Sequence, residues 1–225
     1  MFNESNGPEE AIVQKLQNLG WGKWEYVSGD AIPKHAQDVL VDPWLKQALI
    51  KLNPAIQANS DYADEVIYKL RAVFLEAKYT GLVKANENFY EWLKSEKSLP
   101  FGENGEHVTI HMIDYNNLEN NHYVVSKQVH FIATTEAYFD IVLYVNGIPL
   151  VVGEIKTATR PAISWEDGAA DFCGGTKNYW SNVAPFFVPN LLCFASEGKT
   201  FAYGAINARL KDWGPWHTTE QRDEI

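Results

Sequence analysis

The feature that most constrains the fold is a predicted β-hairpin in the second half of the chain. The apolar segments 139–145 (FDIVLYV) and 150–156 (LVVGEIK) flank the pair Asn146-Gly147. An Asn-Gly pair between two such segments favours a tight turn in which both turn residues take positive φ. Paired positions in a hairpin sum to a constant, so Asp140 is predicted to lie opposite positions 153–155.

Helical periodicity precedes this hairpin, and strand periodicity surrounds it. The apolar spacing predicts helices over 8–20, 38–53, 61–78 and 87–97. Alternation predicts further strands over 107–115, 123–133, 191–195 and 200–205, with one helix over 165–180 that Gly174-Gly175 weakens.

These patterns predict an α/β protein with a mixed sheet. We expect a helical N-terminal part over residues 1–105, packed on a core over residues 106–210. The polar and charged segment 211–225 is expected to be a linker or a frayed end.

The cysteine count, the apolar runs and the net charge exclude several classes of protein. Two Cys residues exclude a disulfide scaffold and a multi-cysteine zinc site, and Cys173 and Cys193 are expected to be buried thiols in a reducing compartment. No apolar run reaches membrane-spanning length, and the N-terminus lacks signal-peptide features, so a cytoplasmic protein is expected. The net charge of −10 argues against a protein that binds nucleic acid mainly through a positively charged surface. It does not exclude an enzyme that acts on nucleic acid.

The predicted hairpin carries the sharpest chemical pattern. It brings the carboxylates of Asp140 and Glu154 together with the ammonium group of Lys156, two residues after Glu154. Mg²⁺ is usually held by one or two carboxylates together with waters and substrate phosphate, and a nearby Lys can stabilise developing charge. Taken alone, these residues fit a metal-dependent phosphodiesterase site and a simple Glu154–Lys156 ion pair equally well.

Two other Glu-x-Lys pairs help to weigh this pattern. Glu76 and Lys78 lie in a helical segment, and Glu197 and Lys199 flank a glycine turn. Only the pair at 154–156 follows a strand in apolar surroundings.

The segment FDIVLYVNGIPLVVGEIKT resembles the signature of the N-terminal nuclease domain of type I restriction enzyme R subunits. These domains belong to the restriction-endonuclease-like superfamily with a D…(D/E)-x-K motif. The upstream segment IDYNNLENNHYVVSKQVHF, with Asn121 and Gln128, and the downstream segments LLCFASEGKTFAYGA and WGPW are similar to the family pattern. The resemblance covers about residues 88–216 and implies a restriction-endonuclease-like mixed sheet flanked by helices.

The resemblance also implies roles for individual residues. Asp140 and Glu154 would be metal ligands, the backbone carbonyl of Ile155 an additional ligand, and Lys156 the catalytic lysine. The superfamily often adds an acid from the first helix, for which Glu10 or Glu9 is the candidate.

Gln128 and Tyr179 are the expected supporting residues, and the chain departs from the family at two positions. Phe139 replaces a frequent Pro, and Gly175 stands at the Gln position of the family's Q-x-x-x-Y motif. The second departure leaves any Gln-dependent role in DNA contact or translocation coupling in question.

We therefore expect a Mg²⁺-dependent endodeoxyribonuclease, with Mn²⁺ as a possible substitute metal. The resemblance implies DNA, a downstream helicase-type motor and the specificity and methyltransferase subunits as partners in an ATP-driven complex. No ATP site is expected in this chain, because Gly198-Lys199-Thr200 lacks the first Walker glycine, at whose position Cys193 stands. A stand-alone nuclease of the same superfamily and a non-catalytic interaction domain are the alternatives.

Other polar residues are assigned plainer roles. Lys23, Lys127, Arg160 and Lys177 are candidates for contacts with phosphates, but the acidic balance of the chain favours a solvated surface position for each. Asp114 is a candidate for a further acid near the site, although a position at a strand end is favoured. His107 and His111 are expected to be structural or surface residues because no zinc motif includes them.

Overall fold

A seven-stranded mixed sheet organises the part of the chain that the computed structural model describes, namely residues 7–20, 23–156 and 164–215. The strand order is β1-β4-β5-β6-β7-β8-β9, in which the pairs β1/β4 and β6/β7 are parallel and the others antiparallel. A separate antiparallel pair joins β2 and β3. The strands are β1 Trp24–Tyr26, β2 Ser98–Leu99, β3 Val108–Thr109, β4 Tyr123–Ile132, β5 Glu136–Val145, β6 Ile148–Ile155, β7 Leu192–Ser196, β8 Phe201–Gly204 and β9 Gly214–Pro215.

Helices cover both faces of this sheet. They are α1 Pro8–Gln17, α2 Asp42–Leu52, α3 Pro54–Ala58, α4 Asp61–Thr80, α5 Leu82–Leu93, α6 Trp165–Cys173, α7 Tyr179–Asn182 and α8 Ala184–Phe187. The helices after α1 contribute to the larger hydrophobic cluster, which also contains residues of the sheet. Helix α1 builds a smaller cluster in which Val13 packs with Ile141 and Phe194. The predicted α/β class with a mixed sheet and flanking helices is confirmed.

The hairpin between β5 and β6 forms as predicted. Asn146 and Gly147 have φ values of 52° and 79°, and the register pairs Ile141 with Gly153. A Cβ on Gly147 would lie 2.5 Å from the carbonyl oxygen of Val41, so the turn also needs glycine for its approach to the segment before α2.

The predicted strand over 107–115 is wrong beyond its first residues, because only Val108–Thr109 forms a strand. The alternation there comes from the burial of Ile110 and Met112. The side-chain amide of Asn53 takes the place of a neighbouring strand. It accepts a hydrogen bond from the backbone N–H of His111 at 2.8 Å and donates one to the backbone carbonyl of His111 at 2.8 Å. Buried backbone groups can be satisfied in this way without a neighbouring strand.

Two predicted helices depart most from their predicted limits. Helix α5 begins at Leu82 and not at residue 87. Gly81, with φ of 87°, ends α4, and the chain changes direction there before α5 begins. The predicted helix over 165–180 is broken after Cys173, where Gly174 takes φ of 140°.

The N-terminal and C-terminal parts share one folded body. The larger cluster extends along the chain from Ile32 to Trp213, and β1 of the N-terminal part pairs with β4. Trp213 is buried against Phe172, and β9 pairs with β8, so residues 211–215 are not the linker that the sequence suggested. Residues 216–225 lie outside the described part. Within the described residues, no helix has the length and apolar character that crossing a bilayer requires.

We predict that Asn146→Ala lowers the free energy of unfolding by about 2–4 kcal/mol. The Asn146 side chain accepts a hydrogen bond from the backbone N–H of His122 at 2.8 Å and donates to the Met112 carbonyl at 2.8 Å and to Asn121 Oδ1 at 2.9 Å. Chemical denaturation measures the loss, and Asn116→Ala, at an exposed position of the nearby loop, is the control. A loss below about 1 kcal/mol would contradict this role of Asn146.

Candidate active site

Asp140 lies in the middle of β5, where two hydrogen bonds fix its side chain. Its Oδ2 accepts a hydrogen bond from the backbone N–H of Ile155 at 2.7 Å, and its Oδ1 accepts one from Gln128 Nε2 at 3.1 Å. The bond to Ile155 ties Asp140 to the end of β6, and it places Asp140 next to Glu154 across the hairpin. The structure therefore brings the two carboxylates together as the register predicts.

The usual alternation of side chains is interrupted at this point. Phe139 and Ile141 are two residues apart, yet they pack in different hydrophobic clusters. On the neighbouring strand, Gln128 has φ of 54°, a left-handed conformation that is uncommon for residues other than glycine. Such backbone irregularities change the direction in which side chains point, and here the Gln128 side chain reaches the Asp140 carboxylate.

Glu154 is the buried centre of the site, with 1% of its surface exposed. Its Oε1 accepts hydrogen bonds from Lys156 Nζ at 3.0 Å and from Lys177 Nζ, and its Oε2 accepts one from the Tyr179 hydroxyl at 3.3 Å. Burial raises the pKa of the Glu154 carboxyl above its ordinary value, and the charge of Asp140 raises it further, although both lysines act in the opposite direction. Two carboxylates that repel each other in this way form a favourable place for a cation.

Asp171 is a site residue that the sequence analysis missed. Its Oδ2 pairs with Lys156 Nζ at 2.5 Å and with Lys177 Nζ at 3.4 Å. It lies on the buried side of α6, which approaches the sheet so closely that a Cβ on Gly168 would be 3.1 Å from the Ala195 Cβ. A carboxylate among apolar residues on one helix face is the signal that could have identified Asp171.

Lys156 and Lys177 are both held as cations. Burial opposes the charged form of each lysine, but hydrogen bonds to Asp171 and Glu154, respectively, together with attraction to the carboxylates, outweigh it and raise both pKa values. The expectation of a solvated Lys177 is wrong, since this residue belongs to the site. Four charged groups therefore form one network, composed of Glu154, Asp171, Lys156 and Lys177.

The two acids of α1 have different surroundings. Glu10 pairs with Lys127 at 2.8 Å, so Lys127 is engaged in an ion pair with α1. Glu9 Oε1 accepts a hydrogen bond from Gln128 Nε2 at 3.4 Å. Burial raises the pKa of Glu9, and the charge of Asp140 raises it as well. The acid of the first helix that senses the Asp140 charge is thus Glu9.

The structure gives a physical reason for Gly175. A Cβ at this position would lie 2.7 Å from the carbonyl oxygen of Ala170, and the Gly175 N–H donates to that same oxygen at 2.6 Å. The turn after α6 is therefore too tight for a Gln side chain. The Tyr179 hydroxyl still reaches Glu154, and burial raises its pKa.

The remaining polar residues lie elsewhere. Asp114 Oδ1 accepts hydrogen bonds from the backbone N–H groups of Asn116 and Asn117, so this carboxylate organises a loop and not a strand end. Lys23 is exposed. Arg160 lies outside the described residues.

The donor set fits a hard divalent cation. The described residues contain no group of three or more His, Cys, Asp or Glu side chains arranged to hold a metal ion. The pair Asp140 and Glu154 does match the one or two carboxylates with which proteins commonly hold Mg²⁺, the other positions being filled by water or phosphate.

A family model described as "Type I restriction enzyme R protein N terminus" matches residues 1–212. The chain belongs to this family. It is 27% identical over 236 residues to the type I restriction enzyme HindI endonuclease subunit of Haemophilus influenzae, a match that covers 100% of this chain and 21% of the relative. It is also 27% identical over 168 residues to the putative type I restriction enzyme MjaVIIIP endonuclease subunit of Methanocaldococcus jannaschii, covering 69% of this chain and 14% of that protein. The chain thus spans about a fifth or less of the length of these relatives.

We predict that Asp140→Asn lowers the pKa of the Glu154 carboxyl in the metal-free protein. The substitution keeps an oxygen for the Ile155 N–H and removes the charge that raises the Glu154 pKa. Titration by NMR with ¹³C-labelled glutamate measures the shift. Asp61→Asn, at the start of α4, is the control, and an equal shift in both variants or none in Asp140→Asn would contradict the coupling.

Proposed function

We propose that this chain hydrolyses DNA phosphodiester bonds with Mg²⁺ held at Asp140 and Glu154. The observation that carries the proposal is the meeting of these two carboxylates and the charged Lys156 at the end of one hairpin. Membership of the R protein N-terminus family supports the same reaction, because the two relatives are named endonuclease subunits.

Each residue of the site has a distinct proposed task. Asp140 and Glu154 hold the cation together with the Ile155 carbonyl, and Glu9 adds negative charge on the α1 side. Gln128 keeps the Asp140 carboxylate oriented by its 3.1 Å hydrogen bond. A bound Mg²⁺ supplies polarisation of the phosphate and a lowered pKa of a coordinated water.

Lys156 is proposed to act on the reacting phosphate or on the attacking water. Its ammonium group is positioned by Asp171 on one side and by Glu154 on the other. A charge held in a partly buried site stabilises the developing negative charge better than a freely moving one, because little reorganisation is needed.

The reaction is proposed to take place within a longer protein and a larger complex in the cytoplasm. The relatives are about five to seven times as long as their matched regions, which leaves room for an ATP-driven motor. A net charge of −10 is poorly suited to gripping DNA, so we propose that motor, specificity and methyltransferase components deliver the DNA.

A non-catalytic role has one observation in its favour. The charged groups around Glu154 pair with one another, as an ion-pair network that only supports the fold would also do. DNA cleavage by variants of the three site residues separates the two functions.

We predict that Asp140→Asn, Glu154→Gln and Lys156→Met each reduce DNA cleavage by about 10²–10⁴-fold while the fold is retained. Each change removes one charge from the site and keeps the side-chain size. Cleavage is measured with Mg²⁺ and with Mn²⁺, for the chain alone and for the assembled ATP-dependent complex, and circular dichroism reports the fold.

The second Glu-x-Lys pair of the chain gives matched controls. Glu76→Gln and Lys78→Met on α4 make the same chemical changes away from the site and should keep native cleavage. Cleavage that survives all three site substitutions would overturn the proposal and favour the non-catalytic role. Efficient cleavage by the chain alone without ATP would favour a stand-alone nuclease.

A further inference from the structure

Both lone pairs of one Glu154 carboxylate oxygen, Oε1, are engaged by lysine donors. Lys156 and Lys177 both donate to Oε1, and the Tyr179 hydroxyl donates to Oε2. An ammonium group and a divalent cation on the same oxygen would repel each other strongly at this depth. If the proposed metal binds Glu154 through Oε1, one of the two lysines has to leave.

The two lysines are held to different degrees. Lys156 lies at the end of β6 and pairs with Asp171 at 2.5 Å, and 22% of its side chain is exposed. Lys177 lies 3.4 Å from Asp171, and 37% of its side chain is exposed. Lys177 lies closer to Glu154 than Lys156 does, but it has the weaker contact with Asp171 and the easier access to water, and these two features favour it as the donor that leaves.

The turn that carries Lys177 allows this release without a change of fold. The Lys177 carbonyl accepts a hydrogen bond from Asn182 Nδ2 at 2.7 Å, which anchors the backbone. Gly174, with φ of 140°, and Asn178, with φ of 42°, shape the turn on either side. The ammonium group sits on a flexible stem of four carbons, so rotation of the side chain alone moves it off Glu154.

We propose that Lys177 is an internal counter-ion that occupies the cation position on Glu154 and is displaced when the metal binds. The displaced ammonium group then pairs with a DNA phosphate at the rim of the site. Lys177 thus neutralises the buried carboxylate when no metal is bound and supplies a positive charge when metal and DNA are both present. The proposal rests on the proposed function, because it needs a metal at Glu154.

Calorimetry with Mn²⁺ at pH 8 tests the first part of the proposal. Lys177→Met should bind Mn²⁺ at least about tenfold more tightly than the native chain, since the competing charge is gone. Lys177→Arg, which keeps that charge, should bind with near-native affinity. Lys84→Met removes an equal charge from an exposed position on α5 and should change nothing.

Unchanged or weaker Mn²⁺ binding by Lys177→Met would overturn the proposal. Should that variant fold poorly, Lys177→Gln keeps a neutral donor towards Glu154 and is expected to shift the affinity in the same direction. Glu154→Gln separates this test from that of the proposed function: loss of Mn²⁺ binding in Glu154→Gln, with no gain in Lys177→Met, would leave the metal site standing and remove only the role of Lys177. Mn²⁺ binding that Glu154→Gln does not weaken would instead overturn the metal site itself.

DNA affinity tests the second part. With phosphorothioate-substituted DNA as a probe that resists hydrolysis, Lys177→Met should weaken DNA binding about three- to tenfold in Mn²⁺ and leave it unchanged in a chelator. The difference is expected because Lys177 is engaged by Glu154 until metal displaces it. An equal effect of the substitution in both conditions, or no effect in Mn²⁺, would overturn the proposed pairing with phosphate.

Discussion

The burial of the Glu154 carboxylate is the constraint on which the rest of the site depends. A carboxylate with 1% of its surface exposed needs opposite charges and hydrogen-bond donors close by, because removal from water disfavours its charged form. Lys156, Lys177 and Tyr179 supply those donors, and Asp171 balances the two lysines. Through these contacts one buried group links β6, α6 and the turn before α7.

The position of Glu154 in the sheet is set by the turn at the other end of the β5–β6 hairpin. The turn at Asn146-Gly147 fixes the register of β5 and β6, and the amide of Asn146 ties that turn to the neighbouring loop. Close approach of α6 at Gly168 then brings Asp171 within reach of Lys156. The geometry of the site therefore depends on the conformation of the Asn146-Gly147 turn, several residues away, as is common when a rigid sheet carries a functional site.

The sequence predicted those parts of the fold that follow from short-range rules. The Asn-Gly turn, the strands beside it and the proximity of Asp140 to Glu154 depend on neighbouring residues, and each is present in the structure. The segment after Thr109 could not be predicted in this way, because its backbone is satisfied by the side chain of Asn53, far away in the chain. Asp171 and Lys177 were missed for the same reason, since their roles arise only when the turn after α6 packs against β6. The tight turn at Gly175 likewise depends on a contact with Ala170 that no motif records.

We propose that Asp140 and Glu154 jointly hold a divalent cation. Anomalous diffraction from crystals soaked in Mn²⁺ tests it most directly, because the position of the metal is observed without reference to activity. An anomalous peak is expected within about 2.0–2.6 Å of an oxygen of each carboxylate. A peak bound elsewhere on the chain, or no peak between these two residues at saturating Mn²⁺ and in the presence of DNA, would contradict it.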